Sequence, residues 1–432
     1  MNPYLQYFLG LREFRYTAPF DASMLTRFRH RISGEMLAWV NDRVIGRPQP
    51  EDSRNDDDSK GGSDGSGGTG GGREETHEKT APGSASTELA PANEGTMILD
   101  ATCAPQNIRY PTDTSLLNEA RQNAEEIIDA LHEICLTGGK KPRTYREKAR
   151  REYNSFSKSR RKTGKMIRKI RGKLLNYLAR DLTAINRILA EHPDRDCLGE
   201  ALSSRQVERL TVIVAVYEQQ RTMHEGGLRS VPNRIVSLSQ YWVRPIVRGK
   251  QRAEVEFGSK VEMSVVNGYP RVEEIRWNAF NEGGTLIDSA ESFRRAYGHY
   301  PARVLADRIF RTRENLRYCK GHGIHMSGPM LGKPPTGEAL RRQQLKEEWL
   351  ESGERGEIER SFGVGKRRDS LGRIMMKLRD TSEVAVRVVV LAMNLWRKLR
   401  LLSRLLWDLL NDCFEALRLS LNSASFVLPR SR

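Results

Sequence analysis

Three acids of the 432-residue chain stand where chemistry is commonly done: Asp100 ends the apolar run MILD, Asp307 ends VLAD, and Glu359 lies in RGEIERSFGVGKRR on an expected helix. Acids far apart in sequence that converge in space can hold two divalent ions. Such ions activate an attacking oxygen and stabilise a leaving oxygen during phosphoryl transfer. Taken singly, each acid is more often a cap or a solvated side chain. The spacing around the third changes that balance. Arg355, Glu359, Phe362 and Lys366 fall at steps of 0, 4, 7 and 11, which at about 100° per residue keeps them on one helix face. An acid flanked by two cations on one face suits a phosphodiester, although Gly363 and Gly365 weaken a helix there. Those glycines before Lys366 lack the rest of a P-loop. Cys319, His322 and His325 form C-x-x-H-x-x-H, but with no fourth ligand nearby the bland reading, a glycine-containing loop, is preferred over zinc.

The charge balance points to the same substrate class. Lys and Arg number 72 against 55 Asp and Glu, a net charge of +17. Residues 51–95 hold eleven acids and four bases, so the remainder carries +24. A basic domain attracts polyanions whether or not it reads their sequence, which makes nucleic acid the leading partner. The segment 140–173 concentrates sixteen Lys/Arg against two Glu. A solvated helix face is one reading of it; backbone contact with DNA, through residues such as Arg160, Arg161 and Lys162, is the other and the preferred one. A mean hydropathy of −0.62 without a long apolar run argues against a membrane protein. The start, MNPYLQYFLG, has no secretory pattern, and five scattered cysteines fit a reducing, cytoplasmic setting.

The elements that must position these residues follow from periodicity. Residues 1–46 read as a small helical domain, with Asp21 capping a helix from Ala22 towards Val40. The span 47–95, with eight glycines between 61 and 72, reads as a disordered linker. A buried strand is expected at 96–102, then helices from about 113, across the 167–189 apolar stripe, and from Ser203 to Met223, packed as a long hairpin. From 233 the runs RIVSLSQYWVRPIV and AEVEFGSKVEMSVV predict strands, with Asn267-Gly268 as a hairpin turn. A helix over 286–297, a strand over 302–309 and an amphipathic helix over 380–420 complete the pattern.

At this level the chain resembles bacterial insertion-sequence transposases of the DDE type, the group named for insertion sequence five. NPYLQYFLGL with PFDASMLTRFRHRI resembles the N-terminal helical domain, and MILDATCAPQNIRYPTDTSLLNEAR the first catalytic block. VYEQQ, RIVSLSQYWVRPIVRGK and VEFGSKVEMSVVNGY resemble the middle. HYPARVLADRIFRTRENLRYCKGHGIHMSGPMLG resembles the second block, and ERGEIERSFGVGKRRDSLGRIMMKLRDTSE the third. The signature of Arg, three residues, Glu, six residues and Lys is met by Arg355, Glu359 and Lys366; Ser352 stands where many relatives carry Tyr. Relatives usually carry a further helical stretch before NPYLQYF, so either a trimmed start or a remnant copy is expected.

The resemblance implies an α/β fold: an RNase H-like mixed sheet with flanking helices, interrupted by a basic helical insertion (113–230) within a catalytic domain spanning 96–400. A small N-terminal domain for recognising DNA ends and a helical tail over 401–432 would complete the chain. Asp100, Asp307 and Glu359 would be the catalytic, metal-binding triad for two Mg²⁺ ions, with Mn²⁺ able to substitute. Arg355, Lys366, Arg367 and Arg368 would contact phosphates. The expected partners are double-stranded DNA, as terminal inverted repeats and target, and further copies of the chain in a homodimer or larger assembly. The expected location is the bacterial cytoplasm, at the nucleoid. The alternatives are an RNase H-like nuclease without strand transfer and a catalytically inactive, DNA-binding remnant.

Overall fold

The computed structural model describes residues 6, 12–17, 21, 23–24, 27, 31–47, 92–135, 139–191, 196–250, 253–278, 280–329 and 337–424. Residues 48–91, most of the expected linker, lie outside the described residues. A six-stranded mixed sheet forms the centre. Its strands are β1 (Thr96–Pro105), β2 (Arg244–Lys250), β3 (Ala253–Val266), β4 (Tyr269–Arg276), β5 (Arg303–Ala306) and β6 (His325–Met326). The order is β2-β3-β1-β5-β6, with β4 also paired to β3. β3 runs antiparallel to β1, whereas β5 is parallel to β1 and β6 to β5. Asn267 and Gly268 both have positive φ, 52° and 78°, as a two-residue hairpin between β3 and β4 requires.

Alternation along β1 divides the core. Met97 and Leu99 face the helices α7 (Leu286–Tyr297) and α8 (Arg313–Gly321), sharing a cluster with Leu286, Phe293 and Phe310. Ile98 faces the opposite side with Val261, Met263 and Val265 of β3, under α9 (Glu338–Arg367) and α10 (Arg379–Ala424). A residue two steps beyond Ile98, Asp100, therefore falls on the α9 face.

Between β1 and β2 the chain leaves the sheet to build a helical unit of α2 (Asp113–Cys135), α3 (Arg146–Lys158), α4 (Gly164–Glu191), α5 (Cys197–Ala201) and α6 (Ser204–Glu225). It has its own core, in which Leu117, Leu131, Leu174, Leu178, Ile188 and Ile213 are buried. Ser203 and Gln206 close a capping box at the start of α6. Arg171 and Arg234 both pair with Asp113, at 3.3 and 2.6 Å, which ties α4 and the strand-ward exit to the first turn of α2.

Several local expectations are corrected. The helix expected over 22–40 does not run through: Ser33 is extended and its hydroxyl accepts from Met36 N, starting α1 at Gly34–Ile45. Asp21 does accept from Ser23 N, at 2.8 Å. α1 is not isolated, since Asp42 binds Arg271 of β4 at 2.7 Å and Asn41 accepts from Asn394 of α10 at 2.7 Å. The strand read into RIVSLSQYWV is absent; Gln219 of α6 instead bonds both the N–H and the carbonyl of Ile235, and the strand begins only at Arg244. β5 stops at Ala306, because Asp307 caps a 3₁₀ turn over Arg308–Phe310. α10 continues without a break across position 400 to Ala424. No helix among the described residues is long and apolar enough to cross a membrane.

Candidate active site

Asp100 and Asp307 come together through strand register. Leu99 of β1 lies opposite Ala306 of β5 in the parallel pair, so the two acids occupy the next positions on adjacent strands. Asp100 Oδ1 accepts from the N–H of Ala101 at 2.8 Å, and Asp307 Oδ1 accepts from Arg308 at 2.7 Å, which fixes one oxygen of each and leaves the other for a ligand. α9 crosses this edge because Ile358 and Phe362 are buried in the core on the α10 side of the sheet. A Cβ at Gly365 would lie 3.1 Å from the Met393 sulfur, so the glycine lets α9 and α10 approach closely. Seating α9 this way delivers Arg355 and Glu359 to the acids.

Arg355 is the link. Its guanidinium lies 3.3 Å from Asp307 and 3.7 Å from Glu359, while the side chains of Asp307 and Glu359 stay 56 % and 62 % exposed. Burial pushes the Asp100 carboxyl up to about 6; the charges of Glu282 and Asp307 push the same way, against the Ala101 N–H and Arg355. Glu282 is held at 2.8 Å by Lys260 of β3. Neither Glu282 nor Lys260 stands out in the sequence, since each belongs to a different element and only the fold brings Glu282 near Asp100 and Lys260 to Glu282. The signal available was Asn281-Glu282-Gly283-Gly284, a turn directly before α7.

The other candidates are dispersed. Lys366 turns towards Glu256 of β3, at 3.8 Å, two turns along from Glu359. Arg367 is exposed at the end of α9 and donates to Gly363 O. Arg368 pairs with Asp369 at 2.8 Å and sits over Trp396, turned from the acids. Arg160, Arg161 and Lys162 are exposed in the connection between α3 and α4, and none of the three is in an ion pair with another of the described residues. Parts of the basic run are neutralised within the fold, as Lys141 and Arg146 bind Asp129 and Lys173 binds Glu152. Cys319 is buried and its thiol is raised to about 11, and His325 contacts Glu351 rather than Cys319, so that trio forms no centre.

Among the described residues no three His, Cys, Asp or Glu side chains form a closed metal-binding group. Arg355 lies between Asp307 and Glu359, at 3.3 and 3.7 Å. The donor types nonetheless suit a hard divalent cation: carboxylate oxygens only, two of the acids exposed, and a third whose ionisation is opposed first by burial and then by its like-charged neighbours.

The segment from β5 into α10, residues 304–396, matches the family model described as "Transposase DDE domain". That segment resembles the DDE domain of transposases. It contains Asp307, Arg355, Glu359 and Lys366, with Asp100 supplied from outside it by β1. No curated protein and no solved structure matches the chain. The match suggests transposase function, and DDE transposase domains in general use divalent metals.

Proposed function

We propose that this protein is a transposase of the insertion-sequence-five group, with an RNase H-like catalytic domain, that cuts DNA at the ends of its element and joins the freed ends to target DNA. What supports the reading is the convergence of Asp100, Asp307 and Glu359 about Arg355, within a sheet edge whose β5–α10 half matches the transposase DDE domain. Asp100, Asp307 and Glu359 would hold two Mg²⁺ ions, which when bound activate the attacking oxygen and stabilise the leaving one. In the first step a water oxygen bonds to phosphorus as the bond to the DNA 3′ oxygen breaks. In the second, that 3′ hydroxyl gives up its proton and its oxygen bonds to a target phosphorus as the bond to the target strand's own 3′ oxygen breaks.

The chain's own residues do the positioning. With Asp307 and Glu359 engaged by cations, Arg355 loses its two acid partners and turns its donors to a phosphate oxygen. Lys366, with Arg367 and Arg368 beyond it, steadies phosphates further along the duplex. Arg160, Arg161 and Lys162 add sequence-independent contact with the backbone. Two DNA ends must be handled in one reaction, so an assembly of at least two chains acts on the DNA.

The test is to incubate the protein with DNA carrying the element's own ends and a target plasmid in Mg²⁺. Ends joined through their 3′ oxygens to the target are expected. Cutting without joining would instead mark a nuclease, and binding without cutting, in Mg²⁺ or Mn²⁺, a DNA-binding remnant.

A further inference from the structure

α10 changes character along its length. Val386, Val390, Met393 and Asn394 are buried against the sheet and its neighbouring helices. Past Asn394 burial stops, although the helix continues and stays rich in leucine. Leu395, Leu399, Leu402, Leu406 and Leu409 are 43–62 % exposed, and Cys413 is exposed as well. Their steps are four, three, four, three and four, the a/d spacing of a coiled coil. The stripe is about 27 Å long at 1.5 Å per residue, and nothing among the described residues of this chain covers it.

The flanking charges select the occupant and its direction. Arg397, Lys398, Arg400 and Arg404 make the first half of the exposed segment basic, whereas Asp408, Asp412 and Glu415 make the second half acidic. A parallel pair of these helices would set like charge on like. An antiparallel pair sets the basic half of each on the acidic half of the other. It also layers Leu399 on Leu409, Leu402 on Leu406 and Leu395 on Cys413, and brings Lys398 beside Asp412 at both ends. Such a stripe is its own complement about a two-fold axis. At roughly 60–120 Å² for each large apolar side chain, the five leucines of the stripe cover on the order of 450 Å² per copy, a small interface to which the charge pairs at both ends add.

We propose that residues 395–413 of α10 pair antiparallel with the same residues of a second copy of this chain, as a two-stranded coiled coil. The inference rests on α10 alone and stands whether or not the acids cut DNA. Sedimentation of the full chain without DNA should give the mass of two copies. Leu402→Lys with Leu406→Lys should give the mass of one, with thermal unfolding unchanged because neither side chain touches the body. Under mild oxidation Leu395→Cys should cross-link two copies through Cys413, and adding Cys413→Ser should abolish the link; the other four cysteines are buried and do not compete. Lys398→Asp should weaken pairing by about tenfold, and Asp412→Lys in the same chain should restore it. A single-copy mass at tens of micromolar overturns the proposal, whether the stripe is then covered by another segment of the chain or by a lipid surface. So does a two-copy mass that survives both lysines, or a Cys413–Cys413 link in the unaltered protein, which would mean a parallel pair.

Discussion

Two regions of the molecule gather acids around an arginine and put them to opposite uses. In the helical insertion Arg121 is 1 % exposed, bonded to Glu125 and Asn118, with Asp181 beside them equally buried. Burial pushes the Asp181 carboxyl up to about 8, with Glu125 adding to it, so this acid is largely uncharged at neutral pH. At the sheet edge Arg355 spans Asp307 and Glu359 at longer distances, and both acids face solvent. A closed cluster spends its arginine on neutralising what the fold has buried. An open one leaves acids that can exchange the arginine for another cation and free it for a phosphate. The difference lies in solvent access, since the residue types are the same.

Substitutions in the two clusters should have opposite consequences. The largest effect is expected at the open cluster: Glu359→Gln should lower cutting of DNA ends by about 10³-fold or more. It should leave the unfolding midpoint in place, because the side chain is mostly exposed. The closed cluster should behave the other way. Arg121→Ala strands Glu125 beside Asp181 and should cost about 3–5 kcal/mol in denaturant unfolding, with cutting per folded molecule retained.

A smaller effect concerns pH. Because the Asp181 carboxyl is raised in the folded state, its contribution to stability is present in acid and is lost as pH rises from about 4 towards about 8. Asp181→Asn should flatten that decline in unfolding curves measured across the range. Asp100 has the same sign over a narrower window, and its consequence is functional: at sub-saturating Mg²⁺, cutting should rise with pH to a plateau above about 6, and more Mg²⁺ should move the midpoint down. The smallest effect is expected from Arg160→Ala with Arg161→Ala, which should weaken binding of unrelated DNA several-fold and make its salt dependence shallower by nearly two.

Much of this was legible in the sequence because the relevant signals are local. MILD and VLAD each end a short apolar run, Asn267-Gly268 demands positive φ, and Ile358 and Phe362 mark the buried face of α9 that carries Glu359 to the sheet. What the sequence did not disclose depends on tertiary partners. Lys366 shares a helix face with Arg355 and Glu359, yet two turns separate them and β3 offers it Glu256. Glu282 acts on Asp100 from a separate element and is itself held by Lys260 of β3. The run RIVSLSQYWV has strand composition, but the Gln219 amide satisfies the backbone of Ile235 and holds that segment against α6. The break at Ser33 comes from its hydroxyl accepting from Met36 N, which the apolar spacing on either side does not reveal.

The central claim is that the open cluster takes divalent cations and the closed one does not. Calorimetric titration of Mn²⁺ into the DNA-bound protein tests it directly, with Asp307→Asn and Asp181→Asn titrated alongside. Binding that is lost in Asp307→Asn and unchanged in Asp181→Asn is the predicted result. Binding that survives Asp307→Asn, or none in the unaltered protein, would contradict the account.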